Sequence, residues 1–267
     1  MSAIRCLWLV GCGNMAGAML RGWIAGGVIE PADVFVVNRQ DRDLPAGVAQ
    51  GRAFPEGPPP DAVMLGMKPF QLDEIAATHG ARIAGVPLLL SILAGVEEAT
   101  LAARFSAGAV VRAMPNLPVA IGKGVVPLHS SAATADQRRA LDTLMAPLGL
   151  VEWIDESLFD VAAAVAGSGP GFLYRFIDAL AAAGVAQGLS PEQAQRFAVA
   201  TVEGSGLLAA AADVSPAVLA DRVASPRGST REGYAVLDHD DALQRLIGET
   251  IAAAVRRNAE MAAEARG

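Results

Sequence analysis

The stretch Gly11-Cys12-Gly13-Asn14-Met15-Ala16 has the G-x-G-x-x-A spacing of a dinucleotide-binding turn, and it decides the expected fold. An apolar run over residues 4–10 precedes it, as in a buried parallel strand, and a helical pattern over 15–25 follows it. Gly11 permits a sharp reversal, Gly13 lets a ligand approach the backbone, and Ala16 allows close helix packing. Free N–H groups and the helix dipole at the helix start favour a diphosphate. The stretch therefore predicts dinucleotide binding at Gly11, Gly13, Asn14, Met15 and Ala16.

Further apolar runs predict that this turn belongs to a parallel sheet. They cover residues 34–38, 61–68, 87–92, 110–114 and 150–153. A helix is predicted over 134–145, with Thr134 as its N-cap. Strands that alternate with helices favour a doubly wound α/β sheet covered by helices on both faces. We therefore expect a Rossmann-like domain over residues 1–156.

The second half of the chain has an all-helical pattern. Ala-rich helical segments cover residues 170–187, 191–211, 216–224 and 240–265, and proline stands at or near the start of three of them. Residues 177–185 are apolar on nearly every side, so that helix must be buried all round. A domain of this size can hardly bury such helices alone. We therefore expect an all-α domain over residues 157–267 that forms an intertwined homo-oligomer.

The residues after the second predicted strand bear on which dinucleotide is bound. Sites specific for NAD end this strand with Asp or Glu, whereas this chain has Asn38-Arg39, followed by Gln40 and Arg42. A carboxylate here would repel the 2′-phosphate of NADP, while Asn and Arg side chains can bind it. The charge predicts NADPH, bound through Asn38 and Arg39, without fixing how strictly NADH is excluded. The alternative interpretation is that Arg39 is an ordinary exposed arginine.

Another contact with the cofactor is predicted at Met67-Lys68-Pro69. This tripeptide lies at the carboxyl end of the run over 61–68, and ligands bind to open α/β sheets at that edge. We expect the Lys68 backbone to lie near the nicotinamide ribose, and we do not expect the Lys68 amine to do chemistry.

Composition excludes several classes of function. A net charge of −7 argues against a nucleic-acid partner, and neither a block of like charges nor an apolar run of roughly 18 residues indicates a membrane. Cys6 and Cys12 are too far apart along the predicted strand for a disulfide, and the histidines form no metal-binding pattern with them, so no metal site is expected. Residues 5–20 imitate a secretory leader, but glycines interrupt the apolar stretch. We expect a cytoplasmic protein.

Five segments, in order along essentially the whole chain, resemble the pyrroline-5-carboxylate reductase family. They are residues 11–15, 67–69, 112–116 with Pro118, 160–170 with its Gly-Ser-Gly-Pro ending, and 223–230. The last segment reads Val-Ala-Ser-Pro-Arg-Gly-Ser-Thr, where the family usually has V-T-S-P-G-G-T-T. Their joint order and spacing make the resemblance far more specific than any single motif.

The resemblance implies an NADPH-dependent oxidoreductase that acts on the C=N bond of a small cyclic imine acid. The implied reaction is the reduction of 1-pyrroline-5-carboxylate to L-proline, a step of amino-acid biosynthesis. The resemblance also implies a homodimer that can associate into a larger ring of dimers. In that assembly the helical domain interleaves with its twin, and the active site lies between the cofactor and helical domains.

The resemblance also assigns the residues that bind the substrate. Gly228, Ser229 and Thr230 precede a helical stretch over 231–237, so their N–H groups can hold the substrate carboxylate. Thr230 is implied as the catalytic residue, a hydrogen-bond partner of the imine nitrogen. The alternative is that Ser229 or Thr230 only caps the helix.

Two further segments are implied to lie beside the nicotinamide. Ser168 and Gly169 are implied to border both the nicotinamide and the substrate, and Asn116 is implied to lie near the nicotinamide. The alternatives are a simple helix cap for the loop over 167–170 and an Asx-turn for Asn116.

The mechanism expected from the sequence is hydride transfer to an already protonated imine. No nucleophile–base pair or persuasive catalytic histidine is evident, and such a reaction mainly needs its two reactants positioned and shielded from water. The β-hydroxyacid dehydrogenases need a lysine early in their long helix, and residues 170–187 contain none. A related imine or ketimine reductase with another substrate stays open, as does a non-catalytic NADP-binding oligomer.

Four residues depart from the family pattern. Phe70 stands where Gln is common, Leu117 where Thr is usual, Ala224 where Thr or Ser occurs, and Arg227 where Gly is expected. A glycine at 227 can supply a backbone geometry that arginine disfavours. Alternatively, Arg227 grips a second carboxylate. These departures leave the exact imine substrate open.

Overall fold

The computed structural model describes residues 4–266, and its N-terminal part is built on one eight-stranded sheet. The strands are β1 Leu7–Val10, β2 Val34–Val37, β3 Ala49–Gly51, β4 Ala62–Leu65, β5 Leu88–Ser91, β6 Ala109–Ala113, β7 Gly124–His129 and β8 Gly149–Trp153. Their spatial order is β3-β2-β1-β4-β5-β6-β7-β8, and only the pair β6–β7 is antiparallel. The strand order reverses at β1, which lies between β2 and β4, and such a reversal is where open α/β sheets bind ligands.

The inner strands of the sheet are buried on both faces, because nearly every position of β1, β2, β4, β5 and β6 is apolar. Leu7 and Leu9 of β1 point into one core cluster, and Trp8 and Val10 point into the other. The first cluster contains side chains of α1 (Asn14–Ala25) and α4 (Ala135–Met145); the second contains those of α2 (Leu72–Ile83) and α3 (Glu98–Ala102). The predicted doubly wound α/β class is confirmed.

Two strands, the helices α2 and α3, and a four-residue helix over Phe159–Ala162 were not expected from the sequence. Strand β3 is a three-residue strand at the sheet edge, and β7 contains Pro127, which usually argues against a central strand. Pro127 has no N–H to donate, but its carbonyl still takes part in the sheet by accepting a hydrogen bond from Met114 N–H at 3.0 Å. The helices α2 and α3 have too few apolar residues for a clear helical period.

The described residues divide into two compact units, 4–168 with 254–266 and Gly169–Ala253. In the first unit, β8 is followed by α5 (Phe159–Ala162) and a π-helical segment, Ala163–Gly167. The last turns of α10 (Ala242–Arg266) pack in this unit, where Asn258 Nδ2 donates to Asp160 O at 3.0 Å. The boundary expected between residues 156 and 157 stays a prediction.

The second unit is entirely helical. It contains α6 (Gly169–Ala186), α7 (Pro191–Ala211), α8 (Pro216–Val223), α9 (Ser229–Leu237) and the first half of α10. Ser190 and Ser215 cap α7 and α8, and each is followed by proline at the first helical position. No residue of α6 is buried, although the helix is strongly apolar. Among residues 4–266, no helix has both the length and the apolarity needed to cross a membrane.

Candidate active site

The turn between β1 and α1 packs so closely against the turn after β4 that residue 11 must be glycine. Gly11 has φ +83°, and a Cβ on it would lie 2.9 Å from Met67 N. The turn is held by hydrogen bonds from Gly11 N to Val37 O and from Gly66 N to Val10 O, both 2.8 Å. This geometry is the one that the G-x-G-x-x-A spacing predicts.

Gly13 differs from Gly11, because its Cα faces open space. It is the N-cap of α1 with φ −80° and ψ −164°, a conformation that any residue adopts. No atom lies within 4 Å of the position of a Cβ there, and no side chain caps the helix. The N–H groups at the start of α1 are therefore open to an anion. This turn fits the diphosphate of a dinucleotide.

Asn38 supports the glycine turn from the end of β2. Its side chain is buried, and its Oδ1 accepts a hydrogen bond from Cys12 N at 2.9 Å. The Nδ2 group donates to Gln50 Oε1 at 3.5 Å. Asn38 therefore stabilises the glycine turn by hydrogen bonds, a role that the sequence did not indicate. The contact of Asn38 with a 2′-phosphate stays a prediction.

Arginines surround the end of β2. Arg39 is exposed and forms an ion pair with Glu74 of α2. The side chains of Arg21 and Arg42 have no hydrogen-bond or ion-pair partner within residues 4–266. Burial raises the pKa of the Cys12 thiol, and the charges of Arg21 and Arg42 oppose that rise. Arg21 lies on α1, two turns after Asn14, and was not among the site residues predicted from the sequence.

The segment Met67-Lys68-Pro69 lies at the carboxyl end of β4, as expected. Lys68 N donates to Gln71 Oε1 at 3.1 Å, and Gln71 N donates to Lys68 O at 3.0 Å. The Lys68 side chain is exposed, and Phe70 beside it is 84% exposed. Local hydrogen bonds therefore fix the backbone that is predicted to contact the cofactor.

Asn116 is a buried cross-link rather than an Asx-turn residue. Its Oδ1 accepts from Val125 N at 2.9 Å, and its Nδ2 donates to Ala166 O at 2.9 Å. It thereby joins the loop after β6 to the start of β7 and to the π-helical segment. Such segments are frequent at functional sites, and this one leads into Ser168, whose hydroxyl has no partner within residues 4–266.

The start of α9 has no side-chain cap. Gly228 is its N-cap, and the hydroxyls of Ser229 and Thr230 form no hydrogen bond with any described residue. The alternative that either hydroxyl only caps the helix is therefore wrong for this structure. Gly228 N–H donates to Ser225 O and Arg231 N–H donates to Gly228 O, both at 3.0 Å, so neither is available to a ligand. The N–H groups and hydroxyls of Ser229 and Thr230 remain, an arrangement suited to a carboxylate and a further polar atom.

The loop before α9 is fixed by contacts to α8. Arg231 Nε donates to Ala224 O at 3.1 Å, and the Tyr234 hydroxyl donates to Ala220 O at 3.1 Å. Ala224 is buried, and Arg227 is exposed with φ +60°. The expectation that residue 227 adopts a backbone geometry disfavoured by arginine is confirmed.

Replacement of Arg227 by glycine is expected to raise the free energy of unfolding by about 0.5–1 kcal/mol. The left-handed conformation costs a residue with a side chain about 1–2 kcal/mol, and glycine avoids this cost. Part of the gain is lost, because glycine has more conformational freedom in the unfolded chain. Urea unfolding at one protein concentration measures the change. Arg227→Lys is the matched control, because it keeps the strain. Equal stability of the glycine and lysine variants would contradict the prediction.

A largely buried charge network lies near the carboxyl end of β6. Arg112 Nη1 donates to Glu156 Oε1 at 2.7 Å, and His129 Nε2 lies 3.1 Å from Glu98 Oε2. Glu98, His129 and Glu156 each offer one potential metal-ligand atom, and these three atoms lie within 4.8 Å of one another, a grouping that the sequence did not reveal. Arg112 and Ser131 already donate to the two carboxylates, so we assign the network a structural role.

Glu156→Gln is expected to remove about 1–3 kcal/mol of stability at pH 7, because Arg112 loses its buried partner and Glu156 itself is partly exposed. Burial raises the pKa of Glu156. Hydrogen bonds from Glu98 N–H and from Arg112, together with the positive charge of Arg112, outweigh this effect, so the pKa of Glu156 lies below the ordinary value of 4.5. This stabilisation is complete above pH 4.5 and is lost as pH falls through the lowered pKa.

Urea unfolding at pH 7 and below pH 4 tests this prediction. The wild type should lose stability over that interval, and the Glu156→Gln variant should lose less. Glu152→Gln is the control, because the Glu152 side chain on β8 is exposed. An unaltered acid dependence in Glu156→Gln would exclude this role for the pair.

Comparisons with known proteins agree with this description. Residues 156–261 match the family model for pyrroline-5-carboxylate reductase dimerisation. The pyrroline-5-carboxylate reductase of Synechocystis sp. is 33% identical over 262 residues and covers 96% of this chain and 97% of its own. A structure of that enzyme from Coxiella burnetii has a TM-score of 0.88 at 28% identity, covering 97% of this chain and 98% of the other. The Plasmodium falciparum pyrroline carboxylate reductase with NADP bound has a TM-score of 0.84 at 23% identity, covering 98% and 99%, and supports the fold.

Proposed function

The chain belongs to the pyrroline-5-carboxylate reductase family, and from this membership we infer that it reduces 1-pyrroline-5-carboxylate to L-proline with NADPH. The observation that carries the proposal at the level of residues is the uncapped start of α9, with two free hydroxyls in its first turn. An imine acid offers a carboxylate and a ring nitrogen, and these are the two groups that such a helix start can bind.

The cofactor-binding part of the proposal rests on the glycine turn. The start of α1 holds the diphosphate on backbone N–H groups at Gly13, Asn14, Met15 and Ala16, while Gly11 keeps the turn closed. Bound NADPH supplies the hydride. The remaining proposed contacts are Asn38 and Arg39 with the 2′-phosphate, and Met67, Lys68, Pro69 and Asn116 with the nicotinamide half.

The substrate-binding part rests on residues 228–230. The N–H groups of Ser229 and Thr230 hold the carboxylate, since Gly228 N–H already donates to Ser225 O at 3.0 Å. The Thr230 hydroxyl accepts a hydrogen bond from the N–H of the protonated imine. The protonated imine is its own electrophile, so the chain needs no acid group at this point. Ser168 and Gly169 border the substrate ring. Positioning, rather than covalent chemistry, supplies the rate.

The assembly and its location complete the proposal. The many exposed apolar side chains of α6–α10 and the dimerisation model matched by residues 156–261 support a homodimer, which associates further into a ring of dimers. We propose residues 1–156 as the NADP-binding domain and 157–267 as the helical domain that binds substrate and forms the dimer. The enzyme is placed in the cytoplasm, where both thiols stay reduced.

The test is to mix the purified chain with NADPH and racemic pyrroline-5-carboxylate and to follow the loss of reduced-nicotinamide absorbance. Proline is then identified as the product, and pyrroline-2-carboxylate and NADH are run in parallel. We expect turnover with pyrroline-5-carboxylate and a preference for NADPH. Turnover only with the other imine would make the chain a related imine reductase. Cofactor binding without turnover on either substrate would make it a non-catalytic binder.

A further inference from the structure

The ion pair between Arg39 and Glu74 lies at the edge of the sheet where the cofactor is proposed to bind. Arg39 follows β2, and Glu74 is in the first turn of α2, which follows β4. Strands β2 and β4 flank β1 in parallel, so their carboxyl ends share the edge that carries the glycine turn. Both side chains are more than half exposed, 63% and 54%, so a bound ligand can reach the pair.

Arg39 is also the residue proposed to bind the 2′-phosphate of NADPH. The phosphate therefore meets a guanidinium group that already has an anionic partner. If Arg39 turns to the phosphate, it gives up its pair with Glu74. If Arg39 stays between the two, the Glu74 carboxylate faces a phosphate of like charge. Either event disfavours NADPH and leaves NADH, which has no 2′-phosphate, unaffected.

We propose that Glu74 is a specificity-determining residue, which competes with the 2′-phosphate of NADPH for Arg39 and limits the preference for NADPH over NADH. The inference rests on the proposed function for the identity of the cofactor. It does not depend on which imine is reduced, because it concerns cofactor affinity alone.

Two other acidic side chains near this edge have partners of their own. Asp73, beside Glu74 on α2, pairs with Arg104 at 2.6 Å. Asp41, in the loop after β2, pairs with Arg52 at 2.9 Å. Glu74 is therefore the described carboxylate that is paired with Arg39. Asp73 provides a matched control, since it has the same charge, lies on the same turn and is also exposed.

The test compares direct binding of NADPH and NADH to the full-length wild type and to Glu74→Gln, without imine, by titrating the nicotinamide fluorescence. Glutamine keeps the size of the side chain and removes its charge. We expect the Kd for NADPH to fall about two- to fivefold, the range equivalent to an exposed ion pair, and the Kd for NADH to stay constant. The difference should shrink in 0.5 M salt. Asp73→Asn should change neither Kd.

A double-mutant cycle assigns the effect to the pair. In an Arg39→Ala background, Glu74→Gln should change NADPH affinity by less than it does in the wild type, because the Arg39 guanidinium for which Glu74 and the phosphate compete is absent. The proposal is overturned if Glu74→Gln shifts both cofactors equally, shifts neither, or has its full effect without Arg39. It is also overturned if the wild type binds neither nicotinamide. A failure of the reductase assay with normal cofactor binding would instead reject the proposed function alone.

Discussion

A Gly13→Val variant is expected to fold like the wild type and to lose affinity for NADPH by about 100-fold or more. The wild-type backbone at Gly13 is already in a conformation that valine adopts, and no atom lies within 4 Å of the added Cβ. The valine side chain instead fills the space in which the diphosphate is proposed to lie. Two lost hydrogen bonds to a charged group, at about 1.5–3 kcal/mol each, account for a loss of this size.

Thermal unfolding and a cofactor titration separate the two effects. Gly13→Ala should give an intermediate Kd, because its side chain is smaller. Gly11→Ala is the contrasting variant, since its Cβ would lie 2.9 Å from Met67 N at φ +83°, and it should lower the Tm as well as the affinity. Normal NADPH affinity in Gly13→Val would remove the glycine turn from the cofactor site.

Replacement of Thr230 by valine is expected to lower kcat/KM for pyrroline-5-carboxylate by about 10- to 150-fold. The change removes a hydroxyl that has no partner within residues 4–266, so the fold loses no hydrogen bond that the structure contains. The substrate loses a hydrogen bond to its charged ring nitrogen, which contributes about 1.5–3 kcal/mol. The Kd for NADPH, measured without imine, should stay unchanged.

Steady-state kinetics with Thr230→Val and Thr143→Val test this prediction. Thr143 is an exposed threonine on α4, and its hydroxyl donates only to Arg139 O of the preceding turn, so its loss should leave kcat/KM unaltered. Wild-type kcat/KM in Thr230→Val would refute the catalytic assignment. A reduced Tm in that variant would show that the hydroxyl supports the fold instead.

Much of the sheet could be predicted because a strand buried on both faces needs an unbroken apolar run. The runs that became β1, β2 and β4 satisfy that condition, and β5 and β6 depart from it by one buried polar residue each. Strand β8 was predicted although its Glu152 is exposed. Strand β7 was not predicted, because Pro127 lacks the N–H group that a central strand normally donates. Only the tertiary structure shows that this segment pairs with β6 and β8. Helix α2 was not predicted, although Leu72, Ile75 and Ile83 form its buried side.

The site was predictable where its chemistry is local. The glycine turn, the proline-started helices and the geometry at residue 227 depend on a few adjacent residues, because backbone torsion angles respond to immediate neighbours. Motif order added the expectation for residues 228–230. These features could be read along the chain before any contact between distant segments was known.

The sequence alone determined the glycine turn that is proposed to bind the diphosphate, the change from an α/β pattern to an all-helical pattern, and the absence of a carboxylate at Asn38-Arg39. The tertiary structure decided which distant groups meet. Asn116 contacts Ala166 O, Arg39 pairs with Glu74, and Glu98 lies beside His129, at separations of 50, 35 and 31 residues. No local pattern encodes such pairs, because strand order and register place them, and these follow from packing the whole core.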